Sequence, residues 1–187
     1  MKTISNFILR LFGWQADLAV QMPGKCVLVG APHTSNWDFP LAILGMAAMG
    51  IQFNWVGKHT LFRWPLGIFM RALGGIPLDR RSGGARFAIK AFELFRDCDQ
   101  FILAIAPEGT RHRTDYWKAG FYKMALKSNV PIALGYVNYE KKMVGIGIIF
   151  VPSGDTDKDF AIVREFYSDK SGKCPEKQGE IRLKKKI

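Results

Sequence analysis

His33 and Asp38 stand five positions apart in APHTSNWDFP (31–40). An imidazole and a carboxylate at that spacing meet if the chain turns between them, and a carboxylate that orients an imidazole makes a general base. A second polar cluster, Pro107-Glu108-Gly109-Thr110-Arg111, follows the apolar run FILAIA (101–106). A third, Asp79-Arg80-Arg81, closes GGIPLDRR (74–81). The planar guanidinium fork suits phosphate oxygens. Singly, each cluster has an ordinary alternative: a capped turn, a common surface turn, a solvated arginine pair. Ser35 lies beside His33, but the chain contains no G-x-S-x-G nucleophile elbow, which argues against a Ser/His hydrolase.

The elements that must position these groups follow from hydrophobic patterning. CVLVG (26–30) reads as a short buried strand, ended by Pro32, with Ser35 and Asn36 as helix caps. His33 then falls in a strand-to-helix turn and Asp38 in the first helical turn. FILAIA is the clearest buried strand and runs directly into PEGTR. In open α/β sheets ligands bind beyond the carboxyl ends of the strands, so two parallel strands would bring both clusters to one mouth. Further strands are expected near 52–57, within GGIPLDRR (74–81), at 131–137 and within KKMVGIGIIFVP (141–152), the last two as a hairpin. Helices are expected over 85–95 and 118–128, and Pro65 breaks or begins one within 60–73. The alternation predicts an α/β fold, with a mixed, partly parallel sheet flanked by helices, in a single domain over 1–187. Residues 168–187 read as a mobile basic tail.

The chain carries 27 basic and 16 acidic residues, a formal charge of +11, which calls for an anionic partner. The cations are scattered rather than interleaved with aromatics, which disfavours nucleic acid. Cys26, Cys98 and Cys174 have no metal-binding spacing and read as reduced thiols. An N-terminal helix over about 3–14 places Ile4, Phe7, Ile8 and Leu11 on one face, near Lys2 and Arg10. That face suits either a membrane interface or the protein's own core. Phe12, Trp14, Phe62 and Trp64 are further aromatic candidates for the interface, with Phe62 better suited to the core. Residues 39–57 are uncharged but interrupted by Pro40, Gly45, Gly50, Gln52 and Asn54, so they predict a buried helix and a strand rather than a membrane span.

Taken in order, His33-x4-Asp38, G-x-I-P-L-D-R (74–80), P-E-G-T-R (107–111) and V-P-I (130–132), with WKAGF (117–121) after the third block, resemble the glycerolipid acyltransferase family. Its best-known branch is the lysophosphatidate acyltransferases, and the resemblance spans residues 25 to about 137. It implies His33 as base and Asp38 as the group that orients it. It implies Arg80 on an acceptor phosphate, Glu108, Gly109, Thr110 and Arg111 in acceptor binding, Pro131 near the acyl donor, and Lys58 as an auxiliary phosphate contact. Pro77 and His112 depart from the commoner family residues. The implied reaction moves a fatty acyl group from an acyl thioester, acyl-CoA or acyl-carrier protein, to a lysolipid hydroxyl such as that of 1-acylglycerol-3-phosphate. It needs no metal and no cofactor beyond the thioester co-substrate. The implied setting is peripheral, on the cytoplasmic side of the cell membrane, against an anionic surface and without nucleic acid. The competing class is a basic, non-catalytic membrane- or nucleic-acid-binding module.

Overall fold

The computed structural model describes residues 1–78 and 85–184. The chain runs α1 (Lys2–Leu11), β1 (Gln15–Leu18), β2 (Lys25–Ala31), α2 (Asp38–Met49), β3 (Asn54–Lys58), a 3-10 turn (His59–Phe62), α3 (Leu66–Ala72) and β4 (Gly75–Leu78). It continues through α4 (Ala85–Asp97), β5 (Phe101–Ile105), α5 (Gly120–Ser128), β6 (Ile132–Asn138), β7 (Met143–Phe150) and α6 (Thr156–Tyr167). The strands form one sheet in the order β1-β7-β6-β2-β5-β3-β4. β6, β2, β5, β3 and β4 are mutually parallel; β7 runs antiparallel to β6 and carries β1 parallel to itself at the edge. The sheet is thus mixed and mostly parallel, in agreement with the mixed, partly parallel α/β sheet that the sequence predicts.

Side chains alternate across β2 and sort the core into two layers. Val27 and Val29 pack with Phe95, Phe121, Phe160 and Val163 of α4, α5 and α6. Cys26 and Leu28 face the other way, towards Met46 of α2. The steps β2 to β3 and β3 to β4 cross the sheet in one direction, and β4 to β5 and β5 to β6 in the other. Right-handed crossovers then put α2 and α3 on one face and α4 and α5 on the opposite one. On the α2 face, Trp55 of β3 meets Phe39 edge-on at 4.5 Å and stacks on Phe62 at 5.7 Å.

The structure departs from the sequence expectations in several places. The N-terminal helix ends at Leu11, because Gly13 turns the backbone at φ +75 and Trp14 drives inward. Gln15–Leu18 then forms an edge strand that no periodicity announces. The N-terminal helix docks and exposes itself at once: Ser5 and Leu9 are buried against α2, whereas Ile4, Phe7, Leu11 and Phe12 are exposed. Residues 168–184, read as a tail, instead pack back over the molecule and are described with the site. Among the described residues no helix is long and apolar enough to cross a membrane.

Candidate active site

Because β2, β3, β5 and β6 are parallel, their carboxyl ends open on one edge of the sheet. β2 delivers His33 there. The helix expected to start at the Ser35–Asn36 caps begins instead at Asp38, whose carboxylate gathers the preceding turn. Its Oδ2 accepts the backbone N–H groups of Thr34 and Ser35, both at 2.9 Å, and faces His33 Nδ1 at 3.1 Å. Its Oδ1 accepts the Tyr139 hydroxyl at 2.8 Å. Burial of Asp38 pushes its pKa up, but His33, the Ser35 N–H and Tyr139 outweigh that, and the net direction is down. The carboxylate therefore stays charged. With Nδ1 held by Asp38, Nε2 is the nitrogen of His33 that can take a proton, and the ring keeps about a quarter of its surface open, at 27%.

β5 delivers the second cluster to the same edge. Glu108 is buried, and its Oε2 accepts the backbone N–H of His33 at 2.8 Å. Burial raises the Glu108 pKa from 4.5 to about 7; the His33 N–H partly opposes this and the nearby Asp38 charge adds to it. Arg111 donates to Asn36 Oδ1, so the two turns are clasped at two points. Gly109 has φ +66, and Lys118 lies where its Cβ would be, a conformation and a contact that favour glycine. Thr110 Oγ1 accepts the N–H of His112 at 3.2 Å and shapes the turn. Backbone N–H groups of turns such as those at Gly109 and His33 can donate to an oxyanion. In this structure they bond to Ala106 O, Glu108 and Asp38 instead.

Lys58 ends β3, exposed at the same edge. Arg80 lies outside the described residues. Pro131 is not brought to the mouth. It precedes β6, and its carbonyl accepts the Val27 N–H at the far end of the strand that leads to His33.

The structure adds groups that the sequence did not single out. Tyr139 follows β6, meets Trp14 edge-on at 5.0 Å, and donates its N–H to Ser171 O at 2.8 Å. The segment after α6 straps the His33 turn: Cys174 N–H donates to Thr34 Oγ1 at 3.2 Å, and a Cβ on Gly172 would lie 2.7 Å from that oxygen. Further on, the Trp117 N–H donates to Arg182 O at 2.7 Å and Trp117 bridges to Leu183. Between α1 and α2 runs an apolar groove of about 290 Å³. Ile8, Phe12, Trp37 and Leu41 line it, and Tyr139 joins it to Asp38.

A histidine held against a charged carboxylate, beside an apolar groove, suits acyl chemistry on a lipid-like substrate. The model of the family described as Acyltransferase matches residues 18–134. The chain belongs to the acyltransferase family. Both clasped turns lie inside the matched span, and a non-catalytic binding module gives no reason for them. The acyltransferase is also similar in structure to the 1-acyl-sn-glycerophosphate (LPA) acyltransferase PlsC from Thermotoga maritima. That match has 18% identity and a TM-score of 0.56, and covers 89% of this chain and 73% of that one. At that identity the likeness concerns the fold. No curated protein matches the sequence.

Proposed function

We propose that this acyltransferase transfers a fatty acyl group from an acyl thioester, acyl-CoA or acyl-carrier protein, to the hydroxyl of a lysolipid, 1-acylglycerol-3-phosphate. The observation that carries the reading is the His33–Asp38 pair at 3.1 Å, fixed by Tyr139 and by the Thr34 and Ser35 amides. An alkyl hydroxyl holds its proton about as tightly as water, near pKa 15.7. His33 Nε2 takes that proton as the oxygen attacks the thioester carbonyl. The C–O bond forms, the C–S bond breaks, and the imidazolium returns the proton to the departing thiolate. A thiol has a pKa of about 8.5, so this leaving group needs little acid assistance and no acyl-enzyme is required. The Asp38 charge stabilises the imidazolium. Arg111 and Lys58 supply cations for the acceptor phosphate, and Arg80 is assigned to it by the sequence block. The acyl class fits the apolar groove beside Tyr139, and the acceptor follows the resemblance of the sequence blocks. The exposed apolar residues of α1, between Lys2 and Arg10, suit peripheral attachment to an anionic, cytoplasm-facing membrane surface.

The test is thiol release from acyl-CoA by purified protein, with and without lysophosphatidate. Release that depends on the acceptor, with intersecting initial-velocity lines, is expected. Acceptor-independent release, or a trapped acyl-protein adduct with parallel lines, overturns it.

A further inference from the structure

The segment between β3 and β4 is held from beneath and bare on top. Phe62 is buried on Trp55, and a Cβ on Gly67 would lie 2.1 Å from Phe62 O, so only glycine allows that approach. Arg71 donates to the carbonyls of Phe62 and Gly67. Yet within α3 only Gly67 is buried. Trp64 is 84% exposed, Phe69 66% and Ile68 63%, with Leu61, Leu66 and Leu73 also exposed. Single exposed apolar residues are ordinary; a contiguous run fixed in a docked helix marks an interaction surface.

We propose that this run is a second contact with an anionic lipid surface, in addition to α1. The inference rests on the membrane reading above. Residues 58–73 contain no acidic side chain but carry Lys58, Arg63 and Arg71, a pattern of apolar insertion with a cationic rim. Tryptophan favours the headgroup boundary. α3 and α1 both belong to the helical layer on the α2 face of the sheet, so the two apolar runs lie on one side of the molecule. A second copy of the chain would set one cationic rim against another, which disfavours self-association.

The experiment compares sedimentation with phosphatidylcholine vesicles and with mixed phosphatidylcholine/phosphatidylglycerol vesicles. It uses the full chain, Trp64→Ser/Phe69→Ser, and Phe7→Ser/Leu11→Ser. Each pair of changes should weaken partition into the mixed vesicles by about tenfold or more. Brominated lipid should quench the parent more than Trp64→Phe. Melting temperature and turnover of a short-chain, water-soluble lysolipid should not change, which separates this surface from the catalytic reading. Equal partition of parent and Trp64→Ser/Phe69→Ser, or quenching unaltered by Trp64→Phe, overturns the proposal, as does failure of the parent to bind mixed vesicles. A loss confined to assays in which acyl-carrier protein is the donor overturns it in favour of carrier docking. A changed sedimentation coefficient of lipid-free Trp64→Ser/Phe69→Ser overturns it in favour of self-association.

Discussion

Asp38 and Glu108 are both buried carboxylates, both at the carboxyl edge of the sheet, both bonded to the His33 turn, and they titrate in opposite directions. Asp38 collects two amide N–H groups, a tyrosine hydroxyl and the imidazole. Glu108 receives one backbone N–H from His33. Burial raises both, and the number of donors decides which stays charged. One carboxylate keeps its charge against the His33 ring. The other holds the turn in place near neutrality without adding a second full negative charge.

The sharpest way to break this contrast is to remove charge from each in turn. Asp38→Asn should lower kcat by roughly 10²–10⁴-fold, as should His33→Ala, while the protein stays folded. Glu108→Gln keeps an acceptor for the His33 N–H and should stay within about tenfold of the parent. A folded His33→Ala variant within about threefold of the parent would remove His33 from the mechanism. The pH dependence of stability separates the two carboxylates as well. Glu108 has a raised folded pKa, so its contribution is present below 4.5 and lost as pH rises towards about 7. The drop is on the order of 3 kcal/mol, and Glu108→Gln should abolish it in denaturant titrations across that window. Asp38 acts in the opposite sense: its contribution is present above 3.8 and lost as pH falls through its lowered folded value.

Arg111 tests whether the clasp and the phosphate site are one device. Arg111→Ala should raise the acceptor KM roughly 10- to 150-fold, with the donor KM little changed. Asn36→Ala removes the clasp but leaves the cation, and should move the acceptor KM far less. If only the donor KM rose, Arg111 would be holding coenzyme phosphates.

Tyr139→Phe is the smallest change. Without that hydroxyl, Asp38 loses one of the bonds that hold its pKa down and keeps more of its charge towards His33. More of His33 is then protonated near neutrality, so a roughly three- to tenfold fall in kcat is expected there, at constant KM, with the acid limb of the pH–rate profile moved to higher pH. A profile that drops without shifting would reduce Tyr139 to a packing residue.

The two turns were legible because each joins a continuous apolar strand to polar residues of definite chemistry. Their partners were not. Tyr139 reaches Asp38 from 101 positions away, and nothing around it in the hairpin marks that role. β1 is four residues with a partly exposed pattern, below the length at which alternation speaks. α6 did carry a signature absent from the expectations: Asp155 caps it through the Asp157 and Lys158 amides, and Phe160, Val163 and Tyr167 are spaced for one buried face. The segment after α6 was misread from composition, since its lysines say solvent while its backbone bonds to Thr34 and Trp117. Pro131 shows a different limit: a residue can belong to a sequence block and still lie at the edge remote from His33.

The strap across the His33 turn also bears on the order of assembly at the ribosome. α1 and the turn itself emerge early, but Thr34 meets Cys174 and Trp117 meets Leu183 only after nearly the whole described chain has been made. A nascent chain thus exposes the apolar residues of its N-terminal helix before the turn bearing His33 has been fastened.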